Sequence, residues 1–204
     1  MGEDANDDTL YWIEPTERGI IPLDGFHLSK SLKRLIQKEK YEIRINHDFG
    51  GVIDGCSSSK ARRISTWINK PIRKLYTELY EQGHCHTVET WIDNKLVGGL
   101  YGVHIGGAFF GESMFSFERD ASKVALANLV ARLNHCGFAL LDTQFLTEHL
   151  RSLGGIEIDQ RDYRKKLIDA LANPADFLKK PLDLAPHKVL QLVSQTSNTG
   201  CSTP

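Results

Sequence analysis

A chain of 204 residues, 41% hydrophobic and 25% charged, is long enough for one good core, or for one full domain with a smaller partner packed on it. Its composition is that of an ordinary globular protein, and no apolar stretch approaches the roughly 18 residues a membrane-spanning helix needs. The formal charge of -1 conceals acids crowded at the N-terminus and basic islands beyond it, so near-neutrality does not exclude a phosphate-binding face.

The opening MGEDANDDTLYW has neither the basic n-region nor the apolar h-region of a secretory signal, so a cytoplasmic location is expected. Along the chain, HLSKSLKRLIQKEK reads as a short helix entered through Ser29 or Ser31, and YEIRINHD alternates like a strand. In DFGGVIDGCSS, Phe49, Val52 and Ile53 fall at helical spacing. After the polar loop SSSKARRIS, the segment TWINKPIRKLYTELYEQG predicts a helix with Pro71 tolerated in its first turn and Gly83 closing it.

The rhythm then changes to an antiparallel meander: HTVETWID, a DNK turn, LVGGLYGVHI, a GG turn and AFFGESMFS. ASKVALANLVARLNHCG predicts a long amphipathic helix ending at Gly137. The strand FALLDTQ, a helix TEHLRSLG, the strand IEI and a last helix over RDYRKKLIDALANP complete the pattern, which marks an α+β mixed sheet flanked by helices. The end, from QLVSQTSNTGCSTP, is polar and predicts a tail.

Three clusters could carry chemistry. The period of two along FALLDTQF sends Asp142 and Gln144 to one face at the end of a strand, where open sheets place ligand crevices. They could orient a donor and accept a proton; equally, Asp142 could cap the next turn and Gln144 face solvent. Parity in FFGESMFS groups Phe110, Glu112 and Met114, leaving Phe109 and Ser113 opposite. Burying Glu112 demands partners, in a structural ion pair or at the floor of an apolar pocket. Ser122 and Lys123 stand at a helix start, where Ser122 is the ordinary cap.

Other features carry less. His84 and His86 lack a third ligand at recognisable spacing, so no metal is expected. Cys56, Cys85, Cys136 and Cys201 are scattered and read as free thiols. No phosphate-cradling glycine loop is present. Trp67 and Trp91 read as core residues, and Trp12 as either packed or a stacking platform.

YWIEPTERGIIPLDGFHLSKSLKR, the TWI segment, GHCHTVETWIDNKLVGGLYGV, GGAFFGESMFS, ASKVAL and LLDTQF followed by HLRSLG together resemble the leucyl/phenylalanyl-tRNA protein transferase family, from about Leu10 to about Leu171. GESMFS and LDTQ in that order and spacing are the specific part. The resemblance implies transfer of Leu or Phe from aminoacyl-tRNA to the N-terminal Lys or Arg of acceptor proteins, which marks them for degradation; an apolar pocket that selects by area, where one methylene is worth only about 1 to 3 kcal/mol, could admit Met as well. It also implies an acetyltransferase-like (GNAT) fold, although the usual acetyl-CoA signature before ASKVAL is missing, and no cofactor is expected.

By position in the matched motifs, the resemblance makes Asp142 and Gln144 the catalytic pair, with Gln144 bonding the attacking amine and Asp142 polarising it. Glu112 becomes an orienting residue, with Phe109, Met114, Ser113 and Trp67 at the substrate. Lys30, Lys33 and Arg34, with Lys60, Arg62 and Arg63, are the expected tRNA contacts, reading phosphates and shape. A shortened N-terminal α/β subdomain over residues 1–66, a catalytic domain over 67–185 and a flexible polar tail over 186–204 are expected, in a monomer. Phe117 stands where an Arg commonly follows MFS, and IEIDQRDY replaces a more usual IEIPRRDY. Two alternatives remain at this point: a non-catalytic tRNA- or RNA-binding module on the same scaffold, or an N-acyltransferase with another activated donor.

Overall fold

The computed structural model describes residues 13–58, 67–178 and 185–194. Seven strands form one mixed sheet in the order β2-β3-β4-β5-β6-β1-β7. These are β1 (Glu17–Ile20), β2 (Glu42–Ile45), β3 (Cys85–Ile92), β4 (Lys95–Ile105), β5 (Ala108–Ser116), β6 (Leu140–Gln144) and β7 (Ile156–Asp159). Only β5 and β6 are parallel; the other neighbours are antiparallel. This is the mixed α+β architecture the element pattern predicts. Strand β2 is at one edge and β1 lies between β6 and the other edge strand, β7, so strands from both sides of the boundary expected after residue 66 share one sheet.

The helices are α1 (Lys30–Gln37), α2 (Phe49–Ser57), α3 (Lys70–Glu81), α4 (Ala121–Cys136), α5 (Glu148–Arg151), α6 (Gln160–Ala172) and α7 (Pro186–Val193). Their starts follow cap chemistry. Ser29 accepts from Leu32 N at 3.2 Å to begin α1, Asp48 accepts from Gly51 N at 2.8 Å for α2, and Asn69 accepts from Ile72 N at 2.9 Å for α3. Each bond satisfies one of the amides that a first turn leaves without a partner. Pro71 sits in the first turn of α3, where its missing N–H costs nothing. Ser122 is not the cap of α4: that position is Asp120, at φ 60°, and its carboxylate pairs with Lys123 at 2.7 Å.

One sheet face carries the main core, built with α1, α4 and α7. On the other, α2 and α3 pack around Ile53, Tyr101 and Phe115, and α6 packs Tyr163 and Ala170 against Ile20 and Leu140. Helix α4 is buried on nearly all sides from Val124 to Leu133, where a single apolar face was expected. A helix apolar all round needs cover on its outer side, and α7 supplies it with Val189, Leu190, Leu192 and Val193, all buried. Residues 186–193 are therefore a packed helix and not part of a flexible tail. Its apolar residues lie on a short helix that only the face of α4 makes meaningful.

Turns follow from backbone needs. Gly106 has φ 55° in the two-residue link from β4 to β5, and a Cβ there would lie 2.6 Å from the Leu171 carbonyl oxygen, so only glycine fits beside α6.

Candidate active site

Strands β5 and β6 pair at Ala108/Leu140, Phe109/Leu141 and Phe110/Asp142. Beyond those pairs β5 continues to Ser116 beside β4 while β6 ends at Gln144. A cavity of about 650 Å³ occupies this opening. Leu100, Met114, Leu126, Leu129, Leu141 and Leu150 make its apolar wall, and Glu112, Ser113, Thr143, Gln144, Tyr76 and Trp67 bring polar atoms and rings to it. It has the size and the mixed lining of a small-molecule site. The segments GESMFS and LDTQ thus converge on one recess.

Strict strand parity fails here for a definite reason. Tyr101 opposes Ser113 and Gly102 opposes Gly111, so Glu112 is an extra residue in β5 with no opposite number. A bulge of this kind re-aims a side chain, and it turns Glu112 toward Gln144. The Gln144 amide Nε2 donates to Glu112 Oε2 at 2.9 Å. Burial pushes the Glu112 carboxyl upward, Tyr76 and Gln144 oppose that by hydrogen bonding, and the nearby Asp142 charge adds to it. The opening choice for Glu112 resolves in favour of a polar fixture in an apolar cavity: its bonding partners there are an amide and a phenol, not a cation.

Asp142 is fully buried and does not line the cavity. Arg18 Nε donates to its Oδ1 and Oδ2 at 3.1 Å each, and Arg18 Nη2 donates to Oδ2 at 2.8 Å. Tyr163 OH donates to Oδ2 at 2.5 Å, and the Gln144 backbone N–H donates to Oδ1 at 2.6 Å. The carboxylate's acceptor capacity is thereby taken up. Gln144 itself has φ 62°, a left-handed conformation that costs a non-glycine residue energy unless its surroundings hold it. The Asp142 carboxylate on its N–H is such a hold, so Asp142 reaches the cavity only through Gln144.

Phe109 is corrected. Expected at the substrate, it is fully buried in the core beside Phe138 and Phe177, because the register that turns Phe110 toward α6 turns Phe109 toward α4. Met114, Ser113 and Trp67 do line the cavity. Lys30, Lys33 and Arg34 are exposed on α1 and form no ion pair among the described residues. Lys60, Arg62 and Arg63 lie outside the described residues, as does Trp12.

Sequence reasoning missed Arg18, Tyr76 and Tyr163. The available signal was Asp142 itself: a carboxylate in an apolar strand requires donors, but nothing in ERGII or RDYRKKLI singles out Arg18 or Tyr163 as those donors. The two buried hydroxyls Tyr101 OH and Thr143 Oγ1 also line the cavity and have no hydrogen-bond partner among the described residues. They are polar points that a bound molecule could satisfy.

A solved C-terminal DUF2156 domain from Agrobacterium fabrum aligns with 86% of this chain and 56% of that one, at a TM-score of 0.45 and 11% identity, too distant a likeness to carry an argument. Sequence comparison is decisive. The leucyl/phenylalanyl-tRNA–protein transferases of Maricaulis maris and Roseobacter denitrificans are 51% and 53% identical to this chain over 197 residues, covering 97% of it and 91% of each relative. The transferase of Rhodopseudomonas palustris is 50% identical over 202 residues, 98% of this chain and 88% of the relative. The family model described as leucyl/phenylalanyl-tRNA protein transferase matches residues 20–168, and the chain belongs to that family.

Proposed function

We propose that this chain transfers Leu or Phe from aminoacyl-tRNA to the N-terminal amine of acceptor proteins that begin with Lys or Arg, forming a peptide bond without a ribosome and marking them for degradation. The observation that carries this reading is the Glu112–Gln144 pair at the edge of an apolar cavity of about 650 Å³, in a chain of this family. The cavity takes the aminoacyl side chain against Met114, Leu126 and Leu129. One methylene in such a pocket is worth only about 1 to 3 kcal/mol, so Met is accepted alongside Leu and Phe.

The ester already stores the driving force, and the protein's task is alignment and proton removal. The acceptor nitrogen attacks the ester carbonyl, the new C–N bond forms, and the ribose oxygen leaves with the pair of the broken C–O bond. One proton passes from nitrogen to that oxygen. With Nε2 committed to Glu112, Gln144 offers Oε1 to the attacking amine. Glu112, whose proton affinity burial raises, is a better acceptor for the amine proton than a solvated carboxylate. Asp142 and Arg18 keep Gln144 in place.

Donor tRNA binds through Lys30, Lys33 and Arg34 and the 60–63 stretch, so affinity falls steeply with salt. The GNAT-like scaffold, the monomeric state and the cytoplasm belong to this reading. The meander, long helix and parallel strand in that order support the first, and no helix among the described residues is long and apolar enough to cross a membrane. Phe-charged tRNA and a peptide beginning with Arg test the whole. Transfer by the wild type that falls at least a hundredfold in Gln144→Ala supports it, and tRNA binding without transfer overturns it.

A further inference from the structure

A cavity of about 460 Å³ lies between α1, β2, α4 and the start of α7. It shares no lining residue with the catalytic cavity, and the two meet α4 on different sides. Val124 and Asn128, one turn apart, face this one, whereas Leu126, about 200° around the helix from each, faces the catalytic one. The volume is that of a small-molecule site, and no step of the transfer uses it.

Asn128 is the residue here that packing does not explain. It is 3% exposed, and its neighbours from Val124 to Val130 are all apolar. Its Nδ2 turns back along the helix and donates to the Val124 carbonyl at 2.9 Å. That leaves Oδ1 buried with no hydrogen-bond partner among the described residues. A carbonyl oxygen stripped of water and left unpaired is destabilising, and native interiors rarely keep one without cause.

A trapped water answers this poorly, because it needs about three polar partners. Leu35, Ile36, Ile43, Val124 and Val189 make the inner wall aliphatic, and the Tyr41 hydroxyl, also in the lining, is spent on the Arg119 carbonyl at 2.7 Å. A molecule with an apolar body and one donor fits better. It should be neutral, since aliphatic walls would strip a charge of its water. The rim agrees: Lys40 pairs with Glu118 and Glu42 with Arg44. Glu39 forms no ion pair among the described residues, and its carboxylate at the mouth repels anions.

We propose that this cavity is a binding site for a neutral apolar molecule with one N–H or O–H donor, of the indole or phenol class. Its body lies against the aliphatic walls and its donor meets Asn128 Oδ1. The site is separate from the reacting groups and does not depend on the transfer reading above.

The test titrates the full chain with indole and with benzothiophene, which has a similar shape and no N–H, and follows backbone amide NMR shifts in wild type, Asn128→Leu and Ile43→Trp. Indole should move the amides of Val124, Asn128 and Val189 and bind about three- to tenfold more tightly than benzothiophene, the worth of one neutral hydrogen bond. Asn128→Leu removes that bond at nearly constant volume, so it should weaken indole about three- to tenfold and leave benzothiophene unchanged or tighter. Ile43→Trp fills the cavity from the edge strand β2 and should weaken both. Indole that moves only amides lining the catalytic cavity, or none up to its solubility limit, overturns the site. So does equal binding of the two probes with Asn128→Leu indistinguishable from wild type. If Asn128→Leu fails to fold, Ile43→Trp decides: loss of the indole shifts at these three amides supports the site, and their retention overturns it.

Discussion

Arg18 and Asp142, 124 positions apart, are joined by a two-pronged contact across neighbouring strands, with Nη2 2.8 Å from Oδ2 and Nε 3.1 Å from both carboxylate oxygens. The Asp142 side chain is fully buried and that of Arg18 is 20% exposed. Removing one partner of such a pair strands the other charge in the interior. Arg18→Met is expected to cost about 3 to 5 kcal/mol of stability, read from urea denaturation midpoints. The double variant Arg18→Met with Asp142→Asn should recover much of that loss, since neither charge then remains. Both should lose transfer through kcat, because Gln144 is no longer held in its left-handed turn.

Glu112 sets stability against function. Its carboxyl is pushed up chiefly by burial, so the folded state favours the protonated form more than the unfolded chain does. The advantage is fully present below the ordinary carboxylate range near 4.5 and is lost as pH rises through the folded value. At pH 7, Glu112→Gln should therefore melt at the wild-type temperature or above it, its amide oxygen still accepting from Tyr76 or Gln144. Its stability gain should shrink as pH falls toward 4. Transfer should drop at least tenfold in the same protein. Parallel thermal melts and kinetic assays at pH 4, 5, 6 and 7 check both parts.

The meander and the long helix were legible because each rests on local periodicity and turn chemistry, whereas the grouping of LDTQ with GESMFS in one site came from the resemblance of the matched motifs. The glycine turn at 106–107 was readable from local turn chemistry, and so was the start of α1 to within the choice between Ser29 and Ser31. What local pattern could not yield is anything set by a distant partner. The bulge at Glu112 depends on the register of β4 against β5, the saturation of Asp142 on β1 and α6, and the fate of Phe109 on which face the core adopts. Glu89 is a further case. Fully buried, it accepts from Thr87 Oγ1 at 2.6 Å, from Trp91 Nε1 at 2.9 Å, and from the backbone amides of His47 and Asp48 at 2.9 and 2.8 Å. It ties β3 to the start of α2, and nothing in HTVETWID distinguishes it from a solvent-facing residue.

Helix α7 is a second place where tertiary context overrode composition. Leu192 and Val193 are 5% and 2% exposed, and the Asn134 amide donates to the Leu192 carbonyl at 2.9 Å. Leu192→Ala should cost about 2 to 5 kcal/mol and lower Tm by about 2 to 4 °C per kcal/mol in a chain of this size. Truncation after residue 185 should cost more than truncation after 194, measured by differential scanning calorimetry. Equal melting of the two truncated chains would show that α7 contributes nothing to the α4 face.

Acid sensitivity should be set by His86. It is 2% exposed, its Nδ1 lies 3.0 Å from Asn46 Nδ2 and its Nε2 lies 2.9 Å from His104 Nδ1. The Asn46 amide can only donate, so His86 accepts at Nδ1 and donates from Nε2 as a neutral ring. Protonating Nδ1 would set a donor against a donor inside the core. Burial first, then His104 and Arg132, push its pKa down to about 3, with Asp176 opposing. The unfolded chain takes up this proton near the ordinary value of 6.5, so the stabilisation is complete above that pH and is lost progressively down to about pH 3. The slope approaches about 1.4 kcal/mol per pH unit. His86→Gln keeps an acceptor for Asn46 and a donor for His104 but cannot titrate. Chemical denaturation at pH 8, 6, 5 and 4 should show a shallower decline for this variant than for wild type, with little difference between them at pH 8. Identical slopes would assign the acid sensitivity elsewhere.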